Sequence, residues 1–246
     1  MTITDILQRL QTGALEIEGV LPWSSNYTFL ARVCGEGWEL SAVYKPQKGE
    51  RPLWDFPQGT LCHREYAAFV VSNELGWDLV APTAVRDGPH GLGSVQLFVE
   101  HDPEYHYFSF EHEPAFKPQL QRLVLFDLLI NNADRKSGHV LVEEAETPTE
   151  TGKLWAIDHG VCFHSDYKLR TVIWEFAGNP ISKSLMANLV DLQQKLRTPA
   201  AAIYAQLEEL LSSLERQALQ KRLDRLIKQA VFPNPGPGRH YPWPPV

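Results

Sequence analysis

The chain has 246 residues, of which 43% are hydrophobic and 22% are charged, and its formal net charge at pH 7 is −7. This length is enough for one large domain or for two lobes around a shared cleft, and the hydrophobic content predicts a packed core. The negative charge provides no overall basic field of the kind that wraps nucleic acid or holds an anionic membrane. We therefore expect no nucleic-acid partner.

The cysteines and the apolar segments indicate the cellular location of the protein. Cys34, Cys62 and Cys162 lie far apart without CxxC spacing, which favours reduced thiols over a disulfide framework or a zinc site. The N-terminal sequence shows no signal-peptide core, and no apolar run approaches the roughly 18 residues of a membrane-spanning helix. These features predict a cytoplasmic protein without integral membrane association.

The hydrophobic pattern of the first hundred residues predicts a β-sheet accompanied by two helices. "TDILQRLQTG" has apolar residues at helical spacing, a cap at Thr4 or Asp5 and an end at Gly13. A second helix, "HREYAAFVVSNELG", ends at Gly76. Strands are predicted for "ALEIEGVL", "YTFLARVCG", "WELSAVYKP", "LVAPTAVRDG" and "GSVQLFVEH".

The pattern changes near residue 101. "PQLQRLVLFDLLINN" predicts a helix that is buried on most sides, "HVLVEEA" and "KLWAIDHG" predict short strands, and residues 184–230 are almost entirely helical. The tail "FPNPGPGRHYPWPPV" is Pro-rich, and an extended, a docked and a disordered form are all open for it. We therefore expect a β-rich N-lobe over 1–100, a helical C-lobe over 101–232 and a tail over 233–246.

Two charged residues of the predicted N-lobe form a first candidate site. Lys45 ends the apolar strand in "AVYKP", and Glu65 lies in the following helix in "REYAA". Taken singly, they are typical of a snorkelling strand-end lysine and a surface glutamate. Together they suggest an ion pair of the type that kinases use to hold a phosphate-binding lysine.

Two aspartates of the second half form a second candidate site. Asp134 follows "LLINNA", where a buried helix enters a polar loop, and Asp158 follows "LWAI" at the end of a short strand. Either could be an ordinary Asx-turn residue. As a pair they suit phosphoryl transfer, which needs one carboxylate to orient the substrate or take its proton and another to hold a metal ion.

The chain resembles the phosphatidylinositol 3-/4-kinase-like superfamily, nearest to the type II phosphatidylinositol 4-kinase branch and its bacterial relatives. The resemblance runs from about residue 15 to about residue 178, and its carriers are "SSNYT", "VYKP", "REYAA", "SVQLFVE", "FDLLINNADR" and "AIDHG". The last two are the most specific, because the superfamily places an "NxDR" loop before an "IDxG" metal motif. The resemblance implies an α+β fold, a bilobal atypical protein kinase with ATP between the lobes.

The resemblance also implies a role for each matching residue. Asp134 would be the catalytic aspartate and Asp158 a ligand of Mg²⁺ or Mn²⁺. Lys45 would contact the ATP phosphates with Glu65 as its partner. The remaining nucleotide contacts would come from a phosphate-covering turn and a hinge strand that borders the adenine: Ser24, Ser25, Asn26, and the stretch 96–100 with Gln96, Phe98 and Glu100. Without this context, the turn is typical of an ordinary hairpin and lacks GxGxxG spacing.

One position departs from the superfamily pattern. Five residues after the catalytic aspartate the superfamily usually has a metal-holding Asn, and this chain has His139. Neutral imidazole matches hard Mg²⁺ poorly and suits Mn²⁺ better. Three roles are open for His139: a metal ligand, a phosphate contact as imidazolium, or a sign of weakened activity. Asn131 and Asn132 are expected to cap the loop, and His159 and His164 to be structural.

These features predict an ATP-dependent phosphotransferase that uses a divalent metal and an unidentified hydroxyl acceptor. A protein or a soluble small molecule ranks above lipid as acceptor, because no basic or amphipathic membrane-docking segment and no cysteine-rich palmitoylation loop is evident. Two alternatives are open: a nucleotide-binding pseudokinase or scaffold, and an enzyme on the same fold that transfers AMP. The oligomeric state is not predicted.

Overall fold

A computed structural model describes residues 1–21, 26–143 and 151–246. Its N-terminal part is a five-stranded sheet in the order β1-β2-β3-β5-β4. All neighbouring strands are antiparallel. The strands are β1 (Ala14–Val20), β2 (Phe29–Gly35), β3 (Trp38–Pro46), β4 (Thr83–Gly88) and β5 (Gly91–Leu97).

The alternating side-chain directions along β3 place Lys45 on the face of the sheet opposite to Ala42 and Tyr44. Ala42 and Tyr44 are fully buried in the cluster that also contains Val33 and Val95 from neighbouring strands. Because successive side chains of a strand point to opposite faces, Lys45 lies on the other face of the sheet. That face is the one against which the second helix packs.

Two helices accompany the sheet, α1 (Ile3–Thr12) and α2 (Leu61–Glu74). The cap predicted at Thr4 or Asp5 is wrong. Thr2 is the N-cap: its hydroxyl accepts from Asp5 N at 3.1 Å while the Asp5 carboxylate accepts from Thr2 N at 2.9 Å. This reciprocal capping box satisfies two helix-end donors, so the helix begins earlier than predicted.

In the described part of the chain after β5, helices and long loops accompany the hairpin of β6 (Val140–Glu143) and β7 (Lys153–Ala156). The helices are α3 (Tyr107–Phe110), α4 (Lys117–Ile130), α5 (Lys183–Leu196), α6 (Ala202–Leu210) and α7 (Ser213–Gln229). As predicted, α4 is buried on most sides, and every residue from Leu123 to Ile130 is buried. The helix therefore serves as the central support for the loop that follows it.

The Pro-rich tail is docked, which decides between the three forms left open. His240 O accepts from Thr171 N at 3.1 Å, and Pro245 O accepts from Ser137 N at 2.8 Å. The tail thus packs on the loop that follows Asp134 and on Thr171, which pairs with Arg135 of that loop. The exact lobe boundaries 1–100, 101–232 and 233–246 stay a prediction.

In the described part of the chain, no helix combines the length and apolarity needed to cross a membrane. The cytoplasmic location stays a prediction.

Candidate active site

Six of the predicted site residues line one cleft between the sheet and the helical part: Asn26, Lys45, Glu65, Asp134, His139 and Asp158. They come from distant parts of the chain, and the fold of both parts is needed to bring them together. A lysine and two carboxylates that share one cleft are suited to phosphoryl transfer.

Lys45 is held by two carboxylates in this cleft. Its Nζ lies 2.7 Å from Glu65 Oε1 and 2.5 Å from Asp158 Oδ1. Burial alone would lower the pKa of Lys45, but Asp158 and Glu65 outweigh burial and raise the pKa above its ordinary value. The lysine is therefore a fixed positive charge, and α2 orients it through Glu65.

Asp158 has an unusual backbone, which the sequence Asp-His-Gly permits. Its φ is +63°, a left-handed conformation that Asp tolerates better than most residues. The turn sends one carboxylate oxygen to Lys45 and the other to 3.3 Å from His139 Nε2. Lys45 is the main cause that lowers the pKa of Asp158, against the opposing effect of burial. The carboxylate is therefore ionised at neutral pH.

The unprotonated ring nitrogen of His139, Nε2, faces the Asp158 carboxylate. Its Nδ1 lies 2.9 Å from Asp134 O, and a carbonyl can only accept, so Nδ1 carries the proton. Burial lowers the pKa of His139 to about 4, against the effect of Asp158, so the ring is neutral at pH 7. The Nε2 lone pair and an Asp158 oxygen then face each other as two acceptors.

Such a pair of acceptors is suited to a divalent cation, although the described residues contain no group of three or more His, Cys, Asp or Glu side chains placed to hold one. Metal-binding histidines typically donate their second ring N–H to a carbonyl or a carboxylate, as His139 does to Asp134 O, and this fixes the other nitrogen as a ligand. The donor set of one imidazole nitrogen and one carboxylate oxygen accommodates Mn²⁺ and, less well, Mg²⁺. The residues present thus fit the metal that the sequence predicts.

The loop that carries Asp134 is organised by two asparagines. Asn131 ends α4 in a left-handed conformation with φ +56° and donates to His164 O and Asp166 O. Asn132 Oδ1 accepts from Asp134 N at 2.9 Å. As predicted, both amides serve the loop. Asn132 fixes the backbone of Asp134, whose side chain lines the cleft, while Asn131 ties the end of α4 to the segment around His164 and Asp166.

The Asp134 carboxylate has a different environment from that of Asp158. Burial raises the pKa of Asp134 to about 6, and the nearest opposing cation is Lys136, whose Nζ is 3.9 Å from Oδ2. Such a carboxylate is mostly ionised at neutral pH and is more basic than an ordinary Asp. These are the properties expected of a general base.

A buried network beneath the two loops was not predicted. Arg135 and Asp127 are 0% and 1% exposed. Arg135 Nε lies 2.9 Å from Asp127 Oδ2, and Nη2 lies 3.0 Å from Oδ1. The signal was present in the sequence, since Asp127 is the one carboxylate in the apolar run "LVLFDLLI" and an isolated buried charge requires a partner.

Arg135 also joins the loop of Asp134 to the loop of Asp158. Its Nη1 donates to His139 O at 2.9 Å and to Ile157 O at 2.8 Å, and Nη2 donates to His159 Nε2 at 2.8 Å. The structural role predicted for His159 agrees with this position, where its ring is fully buried. One guanidinium therefore sets the spacing between the two candidate aspartates.

The predicted phosphate-covering turn is described only in part. Asn26 lines the cleft, and its Oδ1 accepts from Arg51 N at 2.9 Å. Ser24 and Ser25 lie outside the described residues. Their contact with phosphate stays a prediction.

The predicted hinge lies apart from the charged end of the cleft. Gln96 is buried within β5 and donates to Thr83 Oγ1 at 2.8 Å. The strand ends at Leu97, so Phe98 and Glu100 belong to the connection that follows it rather than to a hinge strand that continues to Glu100. Phe98 N donates to Ser41 O at 2.9 Å. Contact of these residues with adenine stays a prediction.

Comparisons with known proteins show which proteins the sequence is similar to. The sequence model of the family described as "Phosphatidylinositol 3- and 4-kinase" matches residues 84–214, which is more than half of the chain. Protein Rv2133c of Mycobacterium tuberculosis is 37% identical over 268 residues, which cover 96% of this chain and 93% of that protein. Phosphatidylinositol 4-kinase gamma 4 of Oryza sativa subsp. japonica is 28% identical over 126 residues, 45% of this chain and 22% of that protein.

Solved structures show the same fold at low sequence identity. The Golgi casein kinase with Mn/ADP bound is 16% identical with a TM-score of 0.64, and the match covers 93% of this chain and 75% of that chain. The Helicobacter pylori proinflammatory kinase CtkA is 12% identical with a TM-score of 0.54, covering 91% and 94%. The predicted bilobal, atypical kinase-like fold is confirmed.

Proposed function

Because the chain belongs to the phosphatidylinositol 3- and 4-kinase family, we propose that it is an ATP-dependent phosphotransferase whose active site is the cleft around Lys45, Asp134 and Asp158. The observation that carries the proposal is the convergence of these three residues on one hollow, although they are up to 113 positions apart in the chain. The kinase-like fold and the family support a phosphotransferase in general. The nucleotide, the metal and the residue roles are our proposal.

On the donor side, Lys45 would bind phosphate oxygens of ATP. Glu65 and Asp158 orient its ammonium group, and the buried Glu65 would keep this role if Asp158 coordinated a metal ion. The turn of Ser24, Ser25 and Asn26 would cover the phosphates. Gln96, Phe98 and Glu100 would border the adenine.

Asp158 and His139 would hold the divalent metal. When bound, the metal neutralises charge on the phosphate oxygens and orients the γ-phosphoryl group. Support comes from the paired acceptors of these two side chains and from the Golgi casein kinase, whose structure contains Mn/ADP. The imidazole ligand favours Mn²⁺ over Mg²⁺ in this site.

Asp134 would act on the acceptor. Its carboxylate takes the proton of the acceptor hydroxyl as the hydroxyl oxygen forms a bond to the γ-phosphorus. The bond between that phosphorus and the β–γ bridging oxygen breaks, and ADP leaves. The raised pKa of Asp134, about 6, makes the carboxylate a better proton acceptor than an ordinary Asp.

The acceptor class that we propose is a protein hydroxyl or a soluble small molecule. The sequence shows no basic, amphipathic docking segment of the kind that brings a kinase to lipid head groups.

Thermal denaturation with ATP plus Mn²⁺ or Mg²⁺, followed by a measurement of ATP turnover, tests the function. We expect metal-dependent stabilisation by ATP, release of ADP, and a larger effect with Mn²⁺. Stabilisation without turnover would instead support a pseudokinase or scaffold. Release of pyrophosphate, with AMP attached to the acceptor, would support an AMP transferase. No stabilisation by any metal–nucleotide pair would contradict the proposal.

A further inference from the structure

Arg64 is a buried cation next to Glu65, and the proposed chemistry does not use it. Its exposure is 1%, among the lowest of the charged residues in the described part of the chain. Neighbouring residues of a helix point about 100° apart, so Arg64 cannot share the direction of Glu65. Glu65 faces Lys45, whereas Arg64 reaches from α2 into the helical part of the protein.

The Arg64 guanidinium contacts elements from both parts of the molecule. Nη1 donates to Cys162 O at 2.6 Å, and Nη2 lies 2.5 Å from Glu215 Oε1 at the start of α7. Nε donates to Thr60 Oγ1 at 3.3 Å, and the guanidinium carbon lies 4.9 Å from the centre of the Phe56 ring. A planar group with several donors suits this junction, and a lysine could make only part of these contacts.

The partner of Arg64 is itself rigidly placed. Glu215 Oε2 accepts from Ser212 N at 2.9 Å and from Ser212 Oγ at 2.8 Å in the capping box of α7. Burial acts to raise the pKa of Glu215, and Arg64 and Ser212 outweigh it and lower the pKa. An ionised carboxylate at the start of α7 therefore anchors α2 to a fixed point.

Arg64 and Glu65 together hold both ends of the segment that follows Asp158. Glu65 Oε2 accepts from His159 N at 3.0 Å, and Arg64 donates to Cys162 O. Residues 159–162 therefore lie between two contacts that originate from consecutive residues of one helix turn. Asp158, with its left-handed backbone, immediately precedes this segment.

We propose that Arg64 is a positioning residue that fastens α2 to the helical part, and thereby keeps Glu65 on Lys45 and Asp158 in the cleft. The catalytic consequence depends on the proposed function, whereas the fastening itself does not. A purely structural ion pair would affect only the stability of the fold.

The test compares Arg64→Met and Arg64→Lys with Arg197→Met, which removes an arginine from an exposed pair with Asp224. Hydrogen exchange of the backbone amides of 158–163 is measured without nucleotide, because the His159 amide reports directly on its bond to Glu65. We expect faster exchange of that segment in Arg64→Met, an intermediate rate in Arg64→Lys and the wild-type rate in Arg197→Met.

The same variants are tested for Mn²⁺–ATP affinity and turnover at a temperature at which each is folded. Loss of a residue that orients metal ligands typically costs about 10- to 100-fold in metal affinity or activity, and we expect Arg64→Met to fall in this range with partial recovery in Arg64→Lys. If Arg64→Met does not fold, Glu215→Gln replaces it, since the amide retains the shape of the capping residue and removes the charge that pairs with Arg64.

The outcomes separate the two claims. Wild-type exchange over 158–163 in a folded Arg64→Met or Glu215→Gln would overturn the positioning role. Faster exchange in a protein whose wild type binds no metal–nucleotide would support the fastening and contradict the proposed function. Wild-type affinity and turnover together with faster exchange would also overturn the catalytic part of the inference.

Discussion

The loops around Asp134 and Asp158 contain the same acid in opposite environments. Lys45 holds the pKa of Asp158 below its ordinary value, while burial raises the pKa of Asp134 to about 6. The Asp158 carboxylate lies against the ammonium group of Lys45, whereas Asp134 Oδ2 lies 3.9 Å from Lys136 Nζ. Environment alone thus gives one aspartate the character of a permanent anion and the other that of a proton acceptor.

The difference arises from the way in which each loop is supported. The Asp158 side chain is held directly by Lys45, whereas Asp134 is held through its backbone by Asn132 and His139. A carboxylate that is fixed by its backbone keeps its oxygens available for a substrate. The comparison predicts that substitutions in the two loops affect different steps.

Asp158→Asn should have the largest effect on function. The neutral amide loses the charge that attracts a cation, and we expect metal-dependent ATP binding to fall below detection in calorimetry. Asp166→Asn, in the same region with a side chain that is 81% exposed, is the matched control and should bind as the wild type does. Equal ATP affinity in Asp158→Asn and wild type would refute the metal role.

Asp134→Asn should separate binding from transfer. The amide has nearly the shape of the carboxylate but cannot accept the acceptor proton, so turnover should fall by roughly 10²- to 10⁴-fold. The affinity for Mn²⁺–ATP should change little, because Asp134 is not assigned to the metal. Calorimetry and a steady-state ADP assay on the same preparation measure the two quantities. If both aspartate variants lose nucleotide binding, the division of roles between the loops is wrong.

Arg135→Met tests the support that the two loops share. Removal of one partner of a buried ion pair typically costs about 3–5 kcal/mol, because the other charge remains buried without compensation, here on Asp127. We expect a loss of that size in the free energy of unfolding, measured by urea denaturation. Arg122→Met, from the exposed side of α4, should change it by less than about 0.5 kcal/mol. A small loss in Arg135→Met would mean that the loops do not depend on this network.

Much of this arrangement could be predicted from local sequence, and some of it could not. Alternation located Lys45 at the end of a strand, and polar interruptions of apolar runs marked Asp134 and Asp158, because such signals extend over only a few residues. Arg64 illustrates the limit: its partner Glu215 is 151 residues away, and nothing in either segment identifies the other. The partner of a buried charge is decided by packing, and local patterns carry no information about it.

The helix start at Thr2 shows a similar limit on a smaller scale. Thr2, Thr4 and Asp5 are all good caps by residue type, and the choice depends on a reciprocal bond between Thr2 and Asp5.

The role of His139 was left open for the same reason. Only its hydrogen bond to Asp134 O shows which ring nitrogen is free to face Asp158.

His139→Asn should have the smallest effect on turnover, and it tests whether the imidazole binds the metal together with Asp158. An amide oxygen is a harder ligand than imidazole, so the ratio of kcat/KM with Mn²⁺ to that with Mg²⁺ should fall, through a gain with Mg²⁺. His112→Asn is the control, because the His112 side chain is 92% exposed. A ratio that stays at the wild-type value would show that the imidazole does not reach the metal, and Asp158 would then be the one assigned metal ligand.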